Sequence, residues 1–416
     1  MNVKFPKLLR RTHLPLVLVI LAALLVTTGS IAAQSPVTIS IAFWGNNEEA
    51  NTTEQMIAAF EAANPNIKVD ENWVQGSYEE KVTTMIAGGT PPDLWQISQS
   101  DLPGFVDAFA PVTGVDTSAY SSPTFTNALT YDGSLYAIPF VAKPKVMGIN
   151  VDLFKAAGIP IPSLTDRMTT DQFQDLAVKL SSGDGDKRVF GSAPLWFGGW
   201  LYIFGNTFYG PDFKSVTVGD QSAIDAANFV INSSGKLHYA PTAVEATGQD
   251  MFSWFLSGKV AMYPDFGPWY LPLVKPVTDM NWELVPDPGK GEQLEIDGFG
   301  ISNQSQHPDE AKALALFLSQ NEQAQEILGS SSAAVGVPIV QKAADLFAQS
   351  IPNHNINAFV LAAADSPIEY GNKISGQLQD TFNHEINSRT ALGTGSEDPA
   401  VVFPEVAKEL NAMFNQ

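Results

Sequence analysis

Four tryptophans stand in segments built like exposed loops. Trp44 precedes Gly45 and Asn46, Trp196 precedes Phe197-Gly198-Gly199, Trp200 follows those glycines, and Trp269 follows Gly267-Pro268. A flat ring in such a loop can stack on an apolar C–H face, and a neighbouring glycine lets backbone come close to a bound molecule. Polar tips accompany the rings: Asn46, Asn47 and Glu48 follow one strand, and Ser98, Gln99 and Ser100 follow another. Rings joined to hydrogen-bonding tips suit a carbohydrate, which offers C–H faces and a rim of hydroxyls. Each residue also has a plain structural use. Trp269 can pack at a helix start, the Trp196–Trp200 loop can fold back on its surroundings, and the asparagines, Glu48 and the serines can cap helices and turns.

No catalytic constellation or metal set competes with that reading. His13, His238, His307, His354 and His384 are scattered without ligand spacing, and cysteine is absent; no nucleophile elbow or phosphate loop occurs. Asp184 and Asp186, in Gly-Asp-Gly-Asp, lack the remaining calcium-loop spacing and read as a solvated turn. No cofactor is therefore expected. A secreted carbohydrate-active hydrolase could still hide two carboxylates at unrelated positions, so that alternative stays open. It would release reducing ends, whereas a binder takes up its ligand stoichiometrically.

Charge narrows the partner. With 23 basic and 44 acidic residues the formal net charge is −21, which excludes nucleic acid, and without a basic run after residue 13 polyanions are poor candidates. Residues 1–33 read as a cleavable export signal: Lys4, Lys7, Arg10 and Arg11, an apolar run Leu14–Val26, then Ser30, Ala32 and Ala33. The run falls short of the roughly 20 residues a spanning helix needs. Cleavage near Ala33 leaves a periplasmic or extracellular protein with no cysteine to lipidate.

The elements that must carry these residues alternate. Val37, Ile39, Ile41 and Phe43 keep a strand period, and Met56, Phe60 and Ala63 share a helical face that Asn64-Pro65 ends. Ile67 and Val69 are extended again, and Tyr78, Val82, Met85 and Ile86 form a second helical face ending at Gly88-Gly89. The chain is thus α/β, a class that binds ligands beyond the carboxyl ends of its strands, where Trp44–Glu48 and Ser98–Asp101 fall.

A set of motifs recurs in order: Phe60-Glu61-Ala62-Ala63-Asn64-Pro65, Ile86-Ala87-Gly88-Gly89-Thr90-Pro91-Pro92-Asp93, Asp132-Gly133-Ser134-Leu135-Tyr136, Asn150-Val151-Asp152-Leu153-Phe154, Phe255-Leu256-Ser257-Gly258-Lys259 and Gly267-Pro268-Trp269. Through them the chain, from about residue 37 to at least 342, resembles the type 1 extracellular solute-binding proteins of ABC importers, the maltose-binding-protein-like family. One departure is Thr170-Asp171 where relatives carry Thr-Trp. The resemblance implies a two-lobed periplasmic-binding-protein fold, type II-like, with discontinuous lobes joined by hinge crossings. Lobe 1 would take 34–144 and a return segment 285–336; lobe 2 would take 145–284 and the C-terminal helices 337–416. It implies no enzyme, but a monomer that binds a sugar, or a polyol or other polar solute, and delivers it to ABC permease subunits in the membrane. It further implies that Gln75 and Gln99 face the cleft, that Lys143, Asp297 and Phe299 lie on crossings near it, that Trp269 is a stacking platform, and that Tyr370 adds an aromatic from the last segment.

Overall fold

The computed structural model describes Met1 and residues 36–194, 196–210, 213–330, 335–368 and 371–414. The expected signal peptide and Tyr370 lie outside the described residues. The chain opens as expected, with β1 (Val37–Trp44), α1 (Asn47–Ala63), β2 (Ile67–Val74), α2 (Tyr78–Ala87) and β3 (Leu94–Ser98). Then come β4 (Ala137–Lys143), β5 (Val146–Asn150), β6 (Phe190–Ser192), α3 (Phe197–Ile203), α4 (Gln221–Ser234), β7 (Val260–Phe266), β8 (Trp282–Val285) and β9 (Glu295–Ile301). Helices α5 (Pro308–Gln320) and α6 (Glu322–Ser330), strand β10 (Val337–Pro338), and helices α7 (Ser375–Arg389) and α8 (Pro399–Met413) complete the frame.

Two sheets organise these elements, one per lobe. The first has strand order β10-β4-β9-β3-β1-β2, and the second β8-β5-β7-β6. In the first, β1 runs parallel to β2 and β3, so three carboxyl ends point the same way; β9 is antiparallel to both β3 and β4. The period-2 pattern of β1 has the expected result: Ile39, Ile41 and Phe43 are buried in one core with Met56 and Phe60 of α1, while Ala42 joins the core on the opposite face. Ala63, expected on the buried face of α1, is exposed because the helix ends there, at Asn64.

The crossings are short. Only Pro144 and Lys145 separate β4 of the first sheet from β5 of the second, and residues 286–294 carry the chain back from β8 to β9. Val337–Pro338 pairs with Val141 and Ala142 of β4, so the final portion, expected to begin in the second lobe at residue 337, begins on the first sheet. Beyond it, Phe347 and Phe359 share a core with Phe266 of the second sheet, and α7 and α8 pack beside α4 on the second lobe.

Candidate functional site

Two cavities adjoin on the first lobe, and the larger reaches across to the second. One, of about 480 Å³, sits beyond the carboxyl ends of β1, β2 and β3 and is lined by Trp44, Gly76, Tyr78, Ser98 and Glu295. The other, of about 670 Å³, is walled on the second lobe by Trp196, Phe197 and Tyr202 and by Gln379, Phe382 and Asn383 of α7. Glu79, Ser100 and Asp101 line both. These volumes are in the range of small-molecule sites. Two lining residues, Ser77 and Phe208, adopt left-handed φ values of 46° and 61°, a cost that binding sites often carry.

Of the residues expected at the ligand, Trp44, Ser98, Ser100, Trp196 and Phe197 line these cavities. Trp44 packs edge-on against Tyr78, with ring centroids 4.8 Å apart. Trp196 is 52% exposed. Asn46 caps α1 through a reciprocal capping box with Glu49, and Glu48 occupies the first turn, where the helix dipole favours an acid. Asn47 accepts a hydrogen bond from Gln75 Nε2 at 2.9 Å, both side chains being exposed near Trp44. Trp269 lines neither cavity; it is half-buried, its ring folded over Gly267.

Five expectations need correction. Trp200 is only 3% exposed, because one helical turn after Trp196 it points inward, against Phe173 and Phe229. Phe299, 1% exposed, packs against Phe140 in the first-lobe core. Gln99 is also buried: its amide oxygen accepts from the Ile296 N–H at 2.5 Å, tying the chain after β3 to β9. Lys143 offers no free cation to a ligand, since its ammonium lies 2.7 Å from the wholly buried Asp297 and 3.8 Å from Glu295. Asp297 faces Lys143 and Gln96, which donates to it at 2.8 Å, and it lines neither cavity.

The crossings carry a repeated arrangement behind the site. Lys143 lies 5.1 Å from the Trp44 ring centroid and pairs with Asp297; Lys145 lies 6.0 Å from the Trp196 centroid and pairs with Glu292 at 2.7 Å and Asp265 at 3.1 Å. Each cavity tryptophan is therefore backed by a lysine whose charge is matched by a carboxylate of the returning segment. Trp196 also donates its indole N–H to Glu292, at 3.4 Å. Burial lowers both lysines, yet the surrounding acids outweigh it and hold them above the ordinary lysine range. Burial likewise raises Asp297 and Glu292, and the lysines offset this only in part.

Asp287, on the same return segment, is buried, and among the described residues neither carboxylate oxygen has a hydrogen-bond donor. Burial pushes it up to about 7, with Arg167 opposing. Because these folded-state carboxyls keep protons that the unfolded chain has released above about pH 4, stability falls as pH rises toward 8. The expected result is a higher Tm at pH 5 than at pH 8. Asp287→Asn should raise Tm at pH 8, leave it nearly unchanged at pH 4, and so flatten the profile. A profile rising with pH, read by differential scanning calorimetry, would contradict this.

Asp101 faces both cavities and accepts from Ser98 Oγ at 2.5 Å. Burial pushes its carboxyl up to about 6, with Glu79 and Glu295 adding and Ser98 opposing. Sequence reading missed Glu79, Tyr78, Gln293 and the polar side of α7. A signal for the last existed: Gln379, Asn383 and Asn387 recur every fourth residue and share a helical face.

Two sheets, paired crossings and cavities between the lobes define the two-lobed fold of periplasmic binding proteins. A family model described as bacterial extracellular solute-binding protein matches residues 55–354, and the chain belongs to that family. Among solved structures it is similar to the ABC substrate-binding protein Lmo0181 from Listeria monocytogenes in complex with cycloalternan, with a TM-score of 0.80 at 21% identity, covering 92% of this chain and 100% of that one. Among curated proteins it is 24% identical over 342 residues to an uncharacterized lipoprotein in the oleD 5'-region of Streptomyces antibioticus, spanning 74% of this chain and 72% of the relative. It is also 24% identical over 253 residues to the mannitol-binding protein of Pseudomonas aeruginosa, about half of each chain (56%).

Proposed function

We propose that the chain is the exported binding component of an ABC importer, that it holds a sugar or sugar alcohol between its lobes, and that it works as a monomer. One observation carries the reading: the two cavities adjoin, and each lobe contributes a tryptophan, Trp44 from the first and Trp196 from the second. Such a guest makes more contacts when the lobes approach, so binding favours closure about the Pro144–Lys145 and 286–294 crossings. The closed form is the one that would dock on permease subunits. The cycloalternan complex of Lmo0181 and the mannitol-binding relative support hydroxylated solutes as the class.

A thermal-shift screen of mono- and oligosaccharides and polyols, mannitol included, tests this. A ligand at 100 times its Kd adds about 2.7 kcal/mol to stability, which a shift in Tm reports. Calorimetry on any hit should give one site per chain with the sugar recovered intact. Release of reducing ends would instead favour the hydrolase, and a panel without any shift would reject the carbohydrate reading.

A further inference from the structure

The charge of the lining narrows the solute within that reading, on which this inference rests. Glu79 and Asp101 sit where the two cavities meet, with Glu295 on the wall of the smaller one. No lysine, arginine or histidine is among the described residues lining either cavity. The nearby crossing lysines are already engaged, Lys143 by Asp297 and Glu295, Lys145 by Glu292 and Asp265. Among the described residues neither Glu79 nor Asp101 forms an ion pair. Gln293, a residue of the larger cavity's wall, has a buried amide oxygen with no donor among the described residues. Facing the acids across that cavity are the uncharged amides Gln379, Asn383 and Asn387. The junction thus collects acceptors and negative charge, and supplies no cation of its own.

We propose that the solute is a carbohydrate or cyclitol bearing a protonated amine, held at the junction of the two cavities by Glu79 and Asp101. An ammonium there supplies both the missing charge and the missing donors, and a charge-assisted hydrogen bond is about twice as strong as a neutral one. A carboxylated or phosphorylated sugar meets repulsion at the same place.

Matched sets that differ only at one substituent test the claim. One is glucosamine, N-acetylglucosamine and glucose; the other is the disaccharides of chitosan, chitin and cellulose. Isothermal titration of the full chain should show the amine of at least one set binding at least tenfold tighter than its acetylated and hydroxyl partners. That preference should shrink as salt rises from 20 mM to 500 mM, values on the order of the range over which screening becomes strong. Glu79→Gln, at an exposed position that should not disturb folding, and Asp101→Asn should each bring the amine-to-hydroxyl affinity ratio toward one. A neutral or acetylated partner that binds as well as the amine overturns this inference and leaves the carbohydrate reading standing. A ratio unmoved by both substitutions also overturns it. No binding by any member of either set overturns the amine proposal, and the wider screen then decides the carbohydrate reading separately.

Discussion

Trp196→Ala is expected to cost the protein its solute while leaving the fold in place. Trp196 is half exposed and lines the larger cavity. On its inner side the ring lies against Gly198, where an added Cβ would fall 1.7 Å from the ring, and Lys145 and Glu292 hold it from behind. The free part of the ring is what a sugar face can cover. Losing that stacking should raise Kd roughly tenfold to a hundredfold, about 1.4–2.8 kcal/mol. Little buried surface goes with it, so Tm should move by only about 2–3 °C. Trp200→Ala makes the contrast, since it empties a core position and should cost about 3–5 kcal/mol of stability. Titration calorimetry and denaturant unfolding on both variants separate the two roles. An unchanged Kd for Trp196→Ala would remove that ring from the site.

A loss of stability as large as that of Trp200→Ala should come from Lys143→Met. The lysine is 6% exposed and its partner Asp297 not at all, so removing the cation leaves a buried carboxylate with Gln96 as its remaining hydrogen-bond donor. Breaking a buried pair from one side typically costs about 3–5 kcal/mol. The loss should be greatest near pH 8 and smaller near pH 5, where Asp297 carries its proton. Adding Asp297→Asn to Lys143→Met should restore most of the stability, because the stranded charge is gone while Gln96 keeps an acceptor. Urea unfolding of the two variants at both pH values measures this. Equal losses in the single and double variants would show that the charge pair is not the cause.

Much of the frame was legible because it rests on local periodicity. The alternation in Val37–Phe43 and the helical faces of Met56–Phe60 and Tyr78–Ile86 depend only on which side chains meet the core. Cavity-lining residues were legible where a strand precedes the residue and glycine follows closely, as at Trp44 and Trp196. Others were misread where one helical turn or one pleat decides the direction. Trp196 and Trp200 look alike in sequence, yet α3 turns the second inward; Phe299 alternates into the core on a strand whose other face is also covered. Lys143 was expected on a crossing near the cleft, and only the pairing of β4 with β9 brings Asp297 to it. Such pairings join residues far apart along the chain, and local pattern holds no record of them.

The first sheet draws strands from residues 37–98, 137–143, 295–301 and 337–338, with the whole second sheet intervening. A polypeptide emerging from the ribosome therefore cannot complete that lobe until about four-fifths of it has been made. High contact order of this kind slows folding. In a family of extracellular proteins such a delay favours export, because a chain that has not yet folded can still be threaded through a membrane.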